Sequence, residues 1–160
     1  MIKFENVSVT YPGGVEALKD LNLEIKDGDF IIIVGLSGAG KSTLLRTVNN
    51  LVKPSTGSVY LEGKNVTSAK KKELKKIRSQ IGMIFQTFNL VNRSTVLKNV
   101  LTGRLSNIST IRSILGLWPK DQKEMAFEAL NQVEILEKAY VRASNLSGGQ
   151  QQRVGIARAL

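Results

Sequence analysis

The sequence contains no cysteine, and none of its apolar runs approaches the length needed to cross a bilayer. Without cysteine, neither a disulfide framework nor a thiolate metal site can form, which is compatible with a reducing compartment. The charged residues Lys3 and Glu5 exclude the apolar core of a signal peptide at the start of the chain. With 160 residues and a hydrophobic fraction of 42%, the composition is ordinary for a soluble globular protein. Without a spanning segment or a signal peptide, the site is expected to face the cytosol.

Acidic residues are few: 13 against 23 lysines and arginines, a formal net charge of +10. Such an excess would favour a polyanion or an anionic membrane surface if it were concentrated on one face. Much of it surrounds Leu74 and Ile77, at Lys70, Lys71, Lys72, Lys75, Lys76 and Arg78. This helical pattern is more typical of a solvated outer face than of a binding patch. We therefore assign the lysine cluster no function from the sequence.

The N-terminal region has the alternation of antiparallel strands. Residues 2–10 alternate apolar and polar side chains, except that Asn6 breaks the parity and indicates a bulge. Residues 11–14 form a turn, and a second alternating run at residues 21–25 ends at a hairpin-type turn, Asp27-Gly28. The pattern predicts an antiparallel β portion packed beside a parallel core.

A glycine-rich loop follows the apolar run Phe30–Val34, which predicts a buried strand. The loop fits G-x-x-x-x-G-K-[ST] and comprises Gly35, Leu36, Ser37, Gly38, Ala39, Gly40, Lys41, Ser42 and Thr43. Leu44, Leu45, Val48 and Leu51 share one face of the helix predicted after it. This context predicts nucleotide binding.

Each fixed position of the loop has a physical reason. Glycines let the backbone turn its N–H groups inward and let these groups approach a phosphate closely. The phosphate would then lie at the positive end of the dipole of the following helix. Lys41 brings a charge to the β and γ phosphates, and the Ser42 hydroxyl is placed to ligate Mg²⁺.

The middle of the chain is expected to complete an α/β core. Residues 58–61 predict a short strand and residues 69–78 a basic helix. The apolar run Ile81–Phe85 has strand length and brings Gln86 to its carboxyl end, where open α/β sheets bind ligands.

Helical patterns dominate after residue 87. Residues 106–116 indicate a loop or a short helix. A helix is expected after Pro119, with Met125, Ala126, Ala129, Leu130 and Val133 on one apolar face. The predicted organisation is a core over residues 1–86, an inserted helical subdomain over 87–145, and a return toward the core over 146–160.

A second glycine-rich helix start is found at Leu146-Ser147-Gly148-Gly149-Gln150, before Gln-Gln-Arg-Val-Gly-Ile-Ala-Arg-Ala-Leu. A serine followed by two glycines predicts an N-cap and an anion site. Together with the phosphate-binding loop, this motif closely resembles the ATP-binding subunits of ABC transporters. The resemblance covers essentially the whole chain, with residues 35–43 as Walker A and residues 146–150 as the signature. It implies a P-loop NTPase core of the ABC ATPase type.

The resemblance also implies roles for matching residues. Tyr11 is at the position of the aromatic that stacks on adenine, and Gln86 is at the Q-loop. ATP phosphates would be held by the amides of residues 36–43 and by Lys41, while Ser42 and Gln86 would complete the Mg²⁺ shell. Ser147, Gly148, Gly149 and Gln150 would meet the ATP of a second, head-to-tail subunit.

Membrane permease subunits would be the other direct partners, and Phe88–Val96 is the candidate segment that contacts them. A solute-binding protein would be an indirect partner. The subunit would be peripheral, on the cytoplasmic side of the cell membrane. Residues 81–104 and 115–119 are most similar to ATP-binding subunits of bacterial phosphonate importers, with phosphate or phosphite as alternative solutes. The solute itself would not touch this chain.

The residues expected after the signature helix are not in these 160 positions: a Walker B strand with its acidic pair, and a switch histidine. The resemblance therefore implies a chain truncated after the signature, with little ATPase activity alone. Two alternatives stay open: an ABC-type ATPase of DNA repair or chromosome maintenance, and a nucleotide-binding module that does not hydrolyse ATP. Gln86 and Leu146 are 60 positions apart, too close for the long insertion of the DNA-repair class, so no nucleic acid is expected.

Overall fold

The computed structural model describes residues 1–160, apart from the side chain of Thr110. The chain forms two compact units, Met1–Arg78 and Ser79–Leu160, each with its own buried side chains. The boundaries expected after residues 86 and 145 stay predictions.

The first unit contains a four-stranded sheet in the order β2-β1-β3-β4, in which every neighbouring pair is antiparallel. Its strands are β1 (Ile2–Thr10), β2 (Glu16–Ile25), β3 (Thr56–Leu61) and β4 (Lys64–Asn65). The predicted antiparallel portion is confirmed.

The bulge expected at Asn6 is present in β1. Asn6 has a φ of 48°, and the register between β1 and β2 shifts between Phe4 and Val7. A Cβ atom at Gly57 would overlap the Asn6 carbonyl oxygen, so β3 can approach the bulge only because residue 57 is glycine.

Two helices complete the first unit: α1 (Lys41–Val48) and α2 (Lys71–Arg78). Arg78 donates through Nε to the Asn49 carbonyl at 2.9 Å and through Nη2 to the Asn50 carbonyl at 3.0 Å. This arginine of the lysine cluster therefore satisfies carbonyls at the end of α1.

The apolar face predicted for α1 is partly wrong. Leu44 is buried, but Leu45 and Leu51 are about half exposed. The helix ends at Val48, and Asn50 has a left-handed φ of 53°, so Leu51 lies beyond the last turn and cannot share the helical face.

The strand predictions for Phe30–Val34 and Ile81–Phe85 are also wrong, since the structure has no strand over either run. Phe30 is 87% exposed and Val34 83% exposed. Apolar composition indicates a tendency to be buried, but a strand also needs a hydrogen-bonded neighbour. Within the described residues, neither run takes part in a β-ladder.

The second unit is helical, with α3 (Val96–Thr102), α4 (Thr110–Ile114), α5 (Lys120–Gln132) and α6 (Gly148–Ala159). Short 3₁₀ turns occupy Leu105–Asn107, Leu136–Lys138 and Ala143–Asn145. The core of this unit is formed by α3, α5 and α6 and by neighbouring turn residues, among them Val100, Leu130 and Val154.

Helix α5 begins after Pro119, as predicted, because proline is compatible with a helix start and not with a helix interior. Ala126, Ala129 and Leu130 are buried on its inner face, whereas Met125, predicted to share that face, is 46% exposed. In the part of the chain that the structure describes, no helix combines the length and apolarity needed to span a membrane.

Candidate functional site: two glycine-rich helix starts

The phosphate-binding loop leads into α1 through Gly40, which has φ 81° and ψ 0° and makes no side-chain cap. A Cβ atom at this residue would overlap the backbone carbonyl oxygen of Ala17 in β2. Gly40 therefore satisfies two demands at once: a left-handed backbone and a close approach to the sheet.

The start of α1 keeps its hydrogen-bond donors available. Among the described residues, no protein acceptor takes the backbone N–H groups of Gly40, Lys41 and Ser42. The first turn of α1 contains no acidic residue. Unpaired N–H groups at the positive end of a helix dipole form an environment that attracts a phosphate.

Lys41 lies across the loop that precedes its own helix. Its Nζ donates to the Gly35 carbonyl at 2.8 Å and to the Leu36 carbonyl at 2.7 Å. The ammonium group is thus held at the start of the glycine-rich loop, by the carbonyls of its first two residues. The geometry fits an anionic group, which would receive the helix donors and the lysine charge together.

Tyr11 is close to the same loop, although 32 positions separate it from Thr43. The hydroxyl oxygens of Tyr11 and Thr43 are 3.1 Å apart and share a hydrogen bond. Thr43 is buried, while Tyr11 is 37% exposed, so part of Tyr11 is accessible beside the phosphate-binding loop. The role of Tyr11 in adenine stacking stays a prediction.

The second glycine-rich start begins α6, and here a capping box is formed. Gln150 N donates to Ser147 Oγ at 3.4 Å, and Ser147 N donates to Gln150 Oε1 at 3.0 Å. The N-cap expected at Ser147 is therefore present. Gly148 and Gly149 are exposed, and a Cβ atom at either would have no neighbour within 4 Å.

The residues predicted for Mg²⁺ lie in different units, Ser42 in the first and Gln86 in the second, and both are exposed. The described side chains include no group of three histidines, cysteines, aspartates or glutamates that could hold a metal ion. Ser42 and Gln86 stay predictions as metal ligands.

Arg158, near the end of α6, was given no role by the sequence patterns. Its guanidinium donates to two successive carbonyls, those of Phe88 and Asn89, just after Gln86. Burial lowers the pKa of Arg158 from its ordinary value. In the sequence, Arg158 is marked only by its position next to Ala157, which belongs to the apolar stripe of the helix. This position does not identify a hydrogen-bond acceptor 70 positions away.

Both glycine-rich helix starts fall within a match between residues 18–160 and the model of a family described as ABC transporter. This chain belongs to the ABC transporter family. A solved relative, described as the dimeric structure of MJ0796, a bacterial ABC transporter cassette, is 39% identical and has a TM-score of 0.88. It covers the whole chain, which spans 69% of that relative. The predicted ABC ATPase fold is confirmed.

Two curated relatives of this ABC chain align with all 160 residues. One is the phosphonates import ATP-binding protein PhnC of Bacillus thuringiensis subsp. konkukian, at 60% identity. Another is PhnC 3 of Halalkalibacterium halodurans, at 53% identity. The chain spans 62% of the length of each. A second MJ0796 structure, described as a post-hydrolysis dimer bound to ADP and Pi, has a TM-score of 0.84.

Proposed function

We propose that this chain belongs to the ATP-binding, energy-coupling subunit of an ABC importer, whose ATP hydrolysis drives transport. The observation that carries the proposal is the start of α1, which has no side-chain cap and whose Lys41 folds back onto the carbonyls of the glycine-rich loop. The relative bound to ADP and Pi supports a nucleotide as the ligand of this loop.

In this function, the amides of residues 36–43 and Lys41 hold the phosphates, and Tyr11 presents its ring to adenine. Ser42 and Gln86 would hold the Mg²⁺, which would offset the negative charge of the phosphates. The Ser42 hydroxyl suits this task because it is exposed at the first turn of α1. Lys41 exchanges its two loop carbonyls for phosphate oxygens.

The proposed assembly pairs two ATP-binding subunits head to tail, so that Ser147, Gly148, Gly149 and Gln150 meet the nucleotide of the partner. The dimeric MJ0796 structures support pairing as a property of relatives. The open surface around Gly148 and Gly149 leaves space for an approaching phosphate.

The proposed solute is a phosphonate, because the curated relatives are named as phosphonates import proteins; phosphate and phosphite are the alternatives. The subunit would work on the cytoplasmic side of the membrane, bound to permease subunits through Phe88–Val96. A solute-binding protein would deliver the solute to those subunits.

Nucleotide binding is tested by Lys41→Ala, with Lys53→Ala as a matched control, since Lys53 is an exposed lysine of the same unit. Calorimetric titration with ATP and Mg²⁺ should show binding weakened roughly 10- to 100-fold by Lys41→Ala, from the loss of charged hydrogen bonds. The control should bind like the original chain, and both variants should keep its urea midpoint.

Turnover measured on the same preparation separates hydrolysis by this chain from binding alone. Equal ATP affinity in Lys41→Ala and the original chain would contradict the proposal.

A further inference from the structure

We propose that Arg158 is a positioning residue that joins the signature helix to the backbone following Gln86. Through this joint, a displacement of the signature would reach the permease contact segment, Phe88–Val96. The inference rests on the proposed function and adds to it a mechanical connection within one unit of the chain.

The connection is a pair of hydrogen bonds from one guanidinium to two successive carbonyls. Arg158 Nη1 donates to the Asn89 carbonyl at 2.7 Å, and Nη2 donates to the Phe88 carbonyl at 2.6 Å. A planar guanidinium presents two N–H groups in a fixed fork, which a lysine ammonium cannot reproduce. Arg158 is half-buried, and this burial lowers the pKa of its guanidinium. Hydrogen bonds from a charged donor are stronger in such a partly dehydrated environment than in water.

The segment that accepts these bonds has an unusual backbone. Phe88 and Asn89 have φ angles of 55° and 48°, two successive left-handed residues that are not glycine. Such a conformation is unfavourable for a bulky side chain such as phenylalanine and persists where the surroundings hold it. The two hydrogen bonds from Arg158 help to hold this conformation, because one guanidinium binds the carbonyls of both residues.

The end of α6 is also tightly packed. A Cβ atom at Gly103, which follows α3, would overlap the Arg158 carbonyl oxygen, and one at Gly82 would lie 2.6 Å from the Ala159 carbonyl oxygen. Backbone from both sides of residues 88–89 thus approaches the last turn of α6 closely. There is little space for this turn to move without its neighbours.

Helix α6 itself connects the two ends of the proposed path. It has 12 residues, a length of about 18 Å, and begins at the Ser147 cap. A helix packed along one side moves as a rigid body more easily than it bends. A shift imposed on the signature at its first turn is therefore expected at Arg158 in its last.

The test compares Arg158→Lys and Arg158→Ala with Arg153→Ala. Arg153 is on the same helix and also donates to a carbonyl, that of Val133, at 2.7 Å, but this bond anchors the end of α5. It is a matched control for the loss of an arginine that only stabilises the unit. Calorimetry gives the ATP affinity of each variant, and hydrogen exchange reports on the amides of residues 88–96 with and without ATP and Mg²⁺.

In the original chain, ATP should change exchange at residues 88–96. In Arg158→Lys, ATP affinity should stay within about twofold, exchange at 88–91 should rise roughly tenfold or more, and the response to ATP should disappear. Arg153→Ala should keep that response. Arg158→Lys preserves charge and length, so it keeps the test valid if Arg158→Ala does not fold.

Two results would overturn the inference while ATP still binds: no ATP response at 88–96 in the original chain, or an unchanged response in Arg158→Lys. Absence of ATP binding in the original chain would instead contradict the proposed function.

Discussion

The two glycine-rich helix starts differ in how their first N–H groups are satisfied. Helix α1 begins at Gly40 without a side-chain cap, whereas α6 begins with the reciprocal bonds of Ser147 and Gln150. At the first start, a phosphate could accept from the N–H groups without replacing a side-chain cap. The second already has acceptors of its own, so a phosphate would have to replace them or use the remaining donors.

The two motifs also differ in why they contain glycine. Gly38 and Gly40 have φ angles of 83° and 81°, which other residues rarely adopt. Gly148 and Gly149 are helical, and their surroundings would accept a larger side chain. Glycine in a helix costs about 0.5–1 kcal/mol relative to alanine. Among the described residues, no close neighbour requires glycine at these two positions. This fits a site that an external group approaches closely.

The largest effect is expected from Gly40→Ala, which would clash with the Ala17 carbonyl and strain the backbone. We expect a loss of roughly 3 kcal/mol or more in the free energy of unfolding, measured in urea. Gly38→Ala is the matched control, because it has nearly the same φ but no neighbour within 4 Å, and should cost only about 1–2 kcal/mol. Equal losses would mean that the contact with β2 is unimportant.

A smaller effect is expected from Ser147→Ala, which removes the acceptor of the Gln150 N–H. The loss should be about 1 kcal/mol, typical of a helix N-cap, again from urea unfolding. Ser144→Ala, an exposed serine whose hydroxyl bonds only to the Asn145 side chain among the described residues, should have almost no effect. If the two variants are equally stable, the capping box does not stabilise α6.

The smallest effect on stability, with the opposite sign, is expected from Gly149→Ala. Alanine should stabilise α6 by about 0.5–1 kcal/mol, because the helix accepts it without a clash. The same methyl group should weaken any ATP-dependent association of two copies, which light scattering measures. Unchanged association would mean that the approach of a partner does not require glycine at this position.

Sequence patterns predicted features that depend on neighbouring residues. The Asn6 bulge, the helix start at Pro119 and the Ser147 cap were all found where local geometry required them. The strand prediction at Phe30–Val34 was wrong because a strand depends on a partner elsewhere in the chain. Arg158 was missed for the same reason, since its acceptors follow from the folded path of the backbone.

The engagement of Lys41 with Gly35 and Leu36 makes ligand entry a competition. An anion can bind the Lys41 ammonium only by displacing the two carbonyl groups that already accept hydrogen bonds from it. Weakly charged anions such as chloride provide little compensation for that displacement, whereas a polyphosphate provides several oxygens at once. In the proposed function, this competition would favour a polyphosphate over small singly charged anions.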